Sequence, residues 1–309
     1  MKQDIVFIGT GSGWGARDMG TGKGPHNLLN SVDPETSSKQ IFSSFSPYNV
    51  LLKNFHDFEN FTPLFPLDKE ASLIRKSYVK QALTHHYEAM KTVLAKKLFP
   101  IVIGGDHSLA IATWSAVKHH HGVFGLIWLD AHLDAHTSST TPSNAIHGMP
   151  VAHLLGYGDA DLATFGDRRP IILPQNLVYI GARSFEFEEK ELLTRLGVKI
   201  YFMDEVNARG FSTVFQEAKE MVTKNTPYYG ISLDIDAFDP IEVPGTGAKE
   251  PKGLKETEVF PNFYNLRQDP HLICFEIVEF NPDLDKGEKT LSFLWRLTKT
   301  FLGQSLHHE

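Results

Sequence analysis

A chain of 309 residues, 41% hydrophobic and 22% charged, has the composition of an ordinary soluble globular protein and length enough for one large or two small domains. Its net charge of −7 argues against nucleic acid or an anionic membrane as partner and is compatible with a cationic substrate. Cys274 is the single cysteine, which excludes an intrachain disulfide and fits a reducing cytoplasm; no apolar run reaches membrane-spanning length, and Met1-Lys2-Gln3-Asp4 leads into a strand without a signal-peptide pattern.

Ile5 to Ile8 reads as the first strand, followed by a glycine-rich loop. Gly11-x-Gly13-x-x-Ala16 loosely satisfies a dinucleotide fingerprint, but Gly20-Thr21-Gly22-Lys23-Gly24-Pro25 breaks the helix that should open there. It is not a P-loop either, because Gly24 follows Lys23 in place of Ser or Thr. Ser31 to Leu67 is irregular, with one short strand expected near Tyr48 to Leu52. Lys69 to Lys97 has helical periodicity through Leu73, Val79, Leu83, Tyr87, Met90 and Leu94. A strand at Phe99 to Ile103 precedes Gly104-Gly105-Asp106-His107-Ser108, where Ser108 reads as a helix cap. His119-His120-His121 closes that helix, where cationic side chains favour the dipole and no metal is needed.

The apolar run Val123 to Leu129 is a buried strand ending in Asp130-Ala131-His132-Leu133-Asp134. If the extended conformation continues, Asp130, His132 and Asp134 leave one face together. For this triplet alone, a solvated loop reads as well as a metal site. Ala135 to Ile146 is a polar loop closing on His147-Gly148-Met149-Pro150, and a second Gly/Pro-rich insertion covers Gly156 to Pro174. Strands are expected at Leu177 to Ile180 and Lys199 to Met203, with helices at Phe185 to Leu196 and Phe211 to Thr223. Tyr229 to Asp236 repeats the apolar strand with an Asp-x-Asp end. A helix at Leu254 to Leu266, interrupted by Pro261, a last strand at Leu272 to Phe280 and a helix at Lys289 to Phe301 complete the chain. The alternation predicts a three-layer αβα fold with a mostly parallel sheet of about eight strands, and no linker divides residues 1–309.

Parallel sheets gather ligands at the carboxyl ends of their strands. Three such ends offer His107, Asp130, His132, Asp134, Asp234 and Asp236. Four carboxylates balance two divalent cations, and mixed carboxylate–imidazole ligation suits two Mn²⁺, with Zn²⁺, Fe²⁺, Co²⁺ or Ni²⁺ also compatible. Two close cations lower the pKa of water toward neutrality, and Asp134 could both ligate and accept a hydrogen bond from the resulting hydroxide.

GGDHS (104–108), DAHLD (130–134), HGMP (147–150), SLDIDAFDP (232–240) and VEFNP (278–282) occur in an order and spacing that resemble the ureohydrolases, the family of arginase, agmatinase and related guanidino hydrolases. The resemblance spans most of the chain and is closest to the arginase branch. It implies hydrolysis of a guanidino compound, foremost L-arginine to L-ornithine and urea, in a cytoplasmic homo-oligomer, trimeric or hexameric. Glu279 then matches the carboxylate that grips the guanidinium, and His147 the histidine that shuttles a proton to the leaving amine. The plainer alternatives are a salt bridge for Glu279 and a backbone-satisfied loop histidine for His147.

The loop from Asp134 to His147 has arginase length, and Ser143 aligns with a residue that binds the substrate carboxylate, with Asn144 beside it. His136 stands where arginases usually have Asn, and Glu186 where they usually have Asp to hold the α-amino group. Pro244-Gly245-Thr246-Gly247 resembles the agmatinase pattern, and Ala248-Lys249 replaces the usual Thr-Pro. The alternatives are therefore an agmatinase or other guanidino-acid hydrolase and, from another class, a non-catalytic metal-binding or regulatory protein.

Overall fold

The computed structural model describes residues 3–34, 37, 53–54, 69–162 and 170–304. The expected strand at Tyr48 to Leu52, most of Ser31 to Leu67 and part of the Gly156 to Pro174 insertion lie outside these residues.

Strands β1 (Ile5–Gly11), β2 (Lys53–Asn54), β3 (Phe99–Gly104), β4 (Gly125–Leu129), β5 (Leu177–Ile180), β6 (Lys199–Tyr201), β7 (Tyr229–Asp234) and β8 (Leu272–Val278) form one sheet in the order β2-β1-β3-β8-β7-β4-β5-β6. Every pairing is parallel, so the expected mostly parallel sheet is wholly parallel among the described residues. Seven strands carry the architecture; β2 contributes two residues at the edge. The strands are near-continuous apolar runs because both faces are covered.

Among the described residues the helices are α1 (Gly24–Asn30), α2 (Lys69–Ala95), α3 (Ala110–His121), α4 (Pro150–Leu154), α5 (Phe187–Leu196), α6 (Met203–Arg209), α7 (Phe211–Thr223), α8 (Glu256–Phe263) and α9 (Lys289–Leu302). Alternate strand residues feed two cores. Phe7, Ile127, Val178 and Ile231 pack with α7, α8 and α9, through residues such as Phe215, Phe263 and Phe293. Ile8, Val102, Leu126 and Trp128 pack with α2 and α3, through Val79, Leu83, Met90 and Trp114. Such period-two sorting is what a sheet between two helical layers requires. Gly230 has no Cβ for a local reason: one would lie 2.1 Å from Trp114.

Several expectations change in detail. Leu73 is exposed, and the apolar stripe that α2 buries includes Val79, Leu83, Met90 and Leu94. The strand expected through Met203 stops at Tyr201, and Met203 opens α6, a helix with Asp204 and Glu205 in its first turn and Gly210 at its end. The helix expected over Leu254 to Leu266 is confined to α8, with Pro261 inside it. Ser108 is not the cap: Asp106 caps the 3₁₀ turn His107–Leu109, and α3 begins at Ala110.

Candidate metal centre and active site

β3, β8, β7 and β4 are neighbours at the middle of the sheet, and their carboxyl ends carry the candidate residues. The chain does not continue extended beyond them. β4 ends at Leu129, and Asp134 has φ 48°. The expected extended alternation of Asp130, His132 and Asp134 is thus replaced by a bend, in which Asp130 Oδ1 accepts from His132 N at 2.7 Å. β7 ends the same way, with Asp234 Oδ1 accepting from Asp236 N at 2.9 Å, and so does β3, with Asp106 Oδ1 accepting from Ser108 N at 3.1 Å. One aspartate side chain per strand end thus closes an Asx turn that folds the next residues back over the sheet.

These turns bring all six candidate ligands together. His107 Nδ1 lies 3.3 Å from Asp130 Oδ2, 3.0 Å from Asp134 Oδ2 and 3.3 Å from Asp234 Oδ2. His132 Nδ1 lies 3.1 Å from Asp236 Oδ2 and 3.5 Å from Asp130 Oδ1. Asp130 therefore faces one imidazole with each oxygen, dividing the cluster into His107/Asp130/Asp234 and Asp130/His132/Asp236. His107 Nδ1 is buried and makes no hydrogen bond, although three carboxylates surround it. A buried nitrogen facing converged anions fits a cation between them, and the donor set is of the kind that holds hard to intermediate divalent ions.

The metal-free electrostatics show the same demand for positive charge. Burial alone would depress His107, but Asp130, Asp134 and Asp234 hold it well above the ordinary imidazole range. Burial, with Asp236 and Asp130 nearby, drives Asp234 well above the carboxylate range. Asp134 is pushed up to about 6 by burial and by the charge of Asp130. Carboxylates packed this closely take up protons unless a cation replaces them.

Glu279, past the end of β8, has φ 69° and donates its N–H to Gly105 O at 2.8 Å. Its Oε1 accepts from His107 N at 2.8 Å and lies 3.0 Å from His147 Nδ1. Burial works against protonation of His147, yet Glu279 beside it raises its pKa to about 9. His147 N donates to Gly15 O at 3.1 Å, so the glycine-rich loop after β1 supports it.

The proposed amino-acid end of the site is less open than the sequence suggests. His136 Nε2 lies 3.0 Å from Glu186 Oε2, so these two candidates face each other. Glu189, which sequence reasoning missed, is buried beside them: its carboxylate accepts from Ala135 N and Glu186 N, each at 3.0 Å, and lies 3.5 Å from His136 Nε2. Burial pushes Glu189 up to about 8. Its signal was present as Glu186-x-x-Glu189, a capping pattern at the start of α5. Ser143 and Asn144 make local bonds, Ser143 Oγ accepting from Ala145 N and Asn144 N donating to Thr141 Oγ1. Arg183 was also missed; it ties the loops together, donating to Asp236 O and Glu250 O at 2.8 Å each.

A family model described as the Arginase family matches residues 3–303. The arginase of Bacillus caldovelox is 38% identical over 218 residues, covering 71% of this chain and 73% of that protein. An arginase of Staphylococcus aureus is 29% identical over 306 residues, 99% of each chain. The solved arginase structures from Bacillus subtilis and Bacillus caldovelox each superpose with a TM-score of 0.83, at 30% and 32% identity; each comparison covers 99% of this chain and 100% of the other. The chain belongs to the arginase family of ureohydrolase enzymes.

Proposed function

We propose that residues 1–309 form one catalytic domain that hydrolyses L-arginine to L-ornithine and urea with two divalent cations, most suitably Mn²⁺. The observation that carries this is Asp130, buried with each oxygen toward a different imidazole, as a carboxylate shared by two ions would be. His107, Asp130, Asp134 and Asp234 would hold one ion, and Asp130, His132, Asp234 and Asp236 the other. When bound, such a pair supplies hydroxide at neutral pH by lowering the pKa of water.

The chain's own residues do the rest. Glu279 presents a buried carboxylate that pairs with the guanidinium and fixes the plane of its carbon. Asp134 accepts a hydrogen bond from the attacking oxygen and so orients it. His147, kept protonated by Glu279, delivers a proton to the departing amine. Ser143 and Asn144, with His136, would meet the α-carboxylate, and Glu186 the α-ammonium.

One observation favours a second reading. Glu186 already faces His136, so an α-ammonium must compete for it, whereas agmatine or a guanidino acid places different demands on this rim. Urea release measured with arginine, agmatine and 4-guanidinobutyrate tests the reading. Arginine should give the highest kcat/KM. Faster turnover of agmatine would sink the arginine assignment and leave the two-metal hydrolase standing; no urea from any guanidine would leave a non-catalytic metal-binding protein. A trimeric or hexameric cytoplasmic enzyme belongs to the same proposal and rests on family resemblance; among the described residues no helix is long and apolar enough to cross a membrane.

A further inference from the structure

From the other ring nitrogen of His107, a buried polar chain runs between the sheet and the α2–α3 layer. His107 Nε2 lies 3.0 Å from Ser232 Oγ, and Ser232 Oγ lies 2.7 Å from Glu276 Oε2. Trp114 Nε1 donates to the same oxygen at 3.0 Å, and Thr113 Oγ1 donates to Glu276 Oε1 at 2.5 Å. Thr113 Oγ1 is in turn 2.9 Å from His86 Nε2, whose Nδ1 is 2.9 Å from Thr10 Oγ1. All these side chains are at most 3% exposed, and Ser232 and Glu276 are directly opposite each other on β7 and β8.

With Glu276 ionised, the protons in this chain run in one direction. An indole N–H can only donate, so Glu276 accepts from Trp114. A carboxylate has no proton to give, so Ser232 and Thr113 turn their hydroxyls toward it as well. Ser232 Oγ then accepts, and the one group offering it a proton is His107 Nε2. On the far side Thr113 Oγ1 likewise accepts from His86 Nε2, and His86 Nδ1 accepts from Thr10. Every arrow points at Glu276. Where a cation takes the place of the second ring proton, His107 keeps its proton on Nε2 and turns the lone pair of Nδ1, the buried nitrogen that has no hydrogen bond, into the space shared with Asp130, Asp134 and Asp234.

We propose that Glu276 is a positioning residue for metal binding, acting through Ser232 to hold His107 in the Nε2-protonated tautomer and so to aim Nδ1 at one of the two ions. A partner behind a ligating histidine fixes the ring's tautomer and orientation and raises its basicity, and its loss commonly costs 10–100-fold in metal affinity. Trp128 keeps the ring from rotating, stacking on His107 with centroids 4.2 Å apart and planes 14° from parallel. The Thr113–His86–Thr10 arm satisfies the other carboxylate oxygen without reaching the ligand.

The inference rests on the two-metal reading, and titration of the metal-free protein with Mn²⁺ separates their fates. The parent should bind two ions. Glu276→Gln and Ser232→Ala should each weaken one binding step by about 10–100-fold and leave the other much less changed. Thr113→Val, which removes only the far arm, should weaken that step less than either. Ser232→Ala is a small change and decides the matter if Glu276→Gln does not fold. A parent that binds no divalent ion removes the two-metal reading itself. A parent that binds two ions, with both steps indifferent to Glu276→Gln and Ser232→Ala or both weakened equally, overturns the role given to Glu276 alone.

Discussion

Glu279 and Asp134 adopt left-handed backbone conformations that L-residues rarely hold, with φ 69° and 48°. Such a conformation costs on the order of 1 kcal/mol and persists where the surroundings dictate it. For Glu279 the dictating contacts are visible: its N–H is held by Gly105 O and its carboxylate by His107 N. Both bonds lead to the β3 end, so the carboxylate is fixed before any substrate arrives. Glu279→Gln keeps an oxygen for His107 N and removes the charge that would face a guanidinium. Turnover should fall by orders of magnitude while bound metal, measured on the same preparation, stays at the parent level. His147→Ala should also retain its metal and lose about 10²–10⁴-fold in rate, the range of a general acid. A Glu279→Gln enzyme as fast as the parent would remove the guanidinium-gripping role, and loss of metal in either variant would mean that these residues hold the cluster itself.

Between residue and fold, the recurring element is the strand end closed by an aspartate turn. It was half legible in the sequence. Apolar runs followed by Asp-x-His-x-Asp and Asp-x-Asp give the strands and the acidic ends, because period-two apolarity and strand termination are local properties. The route by which those ends converge is not local. It depends on Asx bonds at Asp106, Asp130 and Asp234, which pattern reading mistook for continued extension at β4 and for a Ser108 cap after β3. The Ser232–Glu276 pair was invisible for a related reason: it is set by the register of β7 against β8, which neither segment encodes alone. α6 was missed because seven residues carry too little periodicity to separate from a strand extension. The glycine-rich loop after β1 was legible as a loop, but its task was not. A Cβ on Gly15 would lie 2.2 Å from Asp106 Oδ1, while Gly15 N donates to Asp106 Oδ2 at 3.0 Å and Gly15 O accepts from His147 N. Gly15→Ala must therefore displace the loop, and His147 with it. An ångström of misplacement can cost about 100-fold in rate. The variant should slow by that order with its metal in place; a parent-like rate would show that the loop does not position His147.

The molecule as a whole is a parallel sheet between two helical cores, and its buried polar groups tie the layers together at chosen points. His86 is one: from α2 it reaches Thr10 on β1 and Thr113 on α3, in the core that lies behind the metal centre. It is 1% exposed, and burial depresses its pKa to about 3 from the ordinary 6.5. Between those values the unfolded chain binds a proton that the native protein does not. Stability from this site is then complete above 6.5 and is lost as pH falls from 6.5 toward 3. The metal cluster also loses its hold in acid, so the two contributions must be separated by a variant. His86→Gln retains polar atoms that can face both threonines and cannot titrate. It should be less stable than the parent at pH 8, where a well-fitted imidazole is lost, and its stability should fall less steeply between pH 6.5 and 4. Urea unfolding of chelator-treated parent and variant across that interval makes the comparison without metal. Parallel pH profiles for the two proteins would show that His86 accepts its proton inside the fold, and that the core behind the metal centre admits charge.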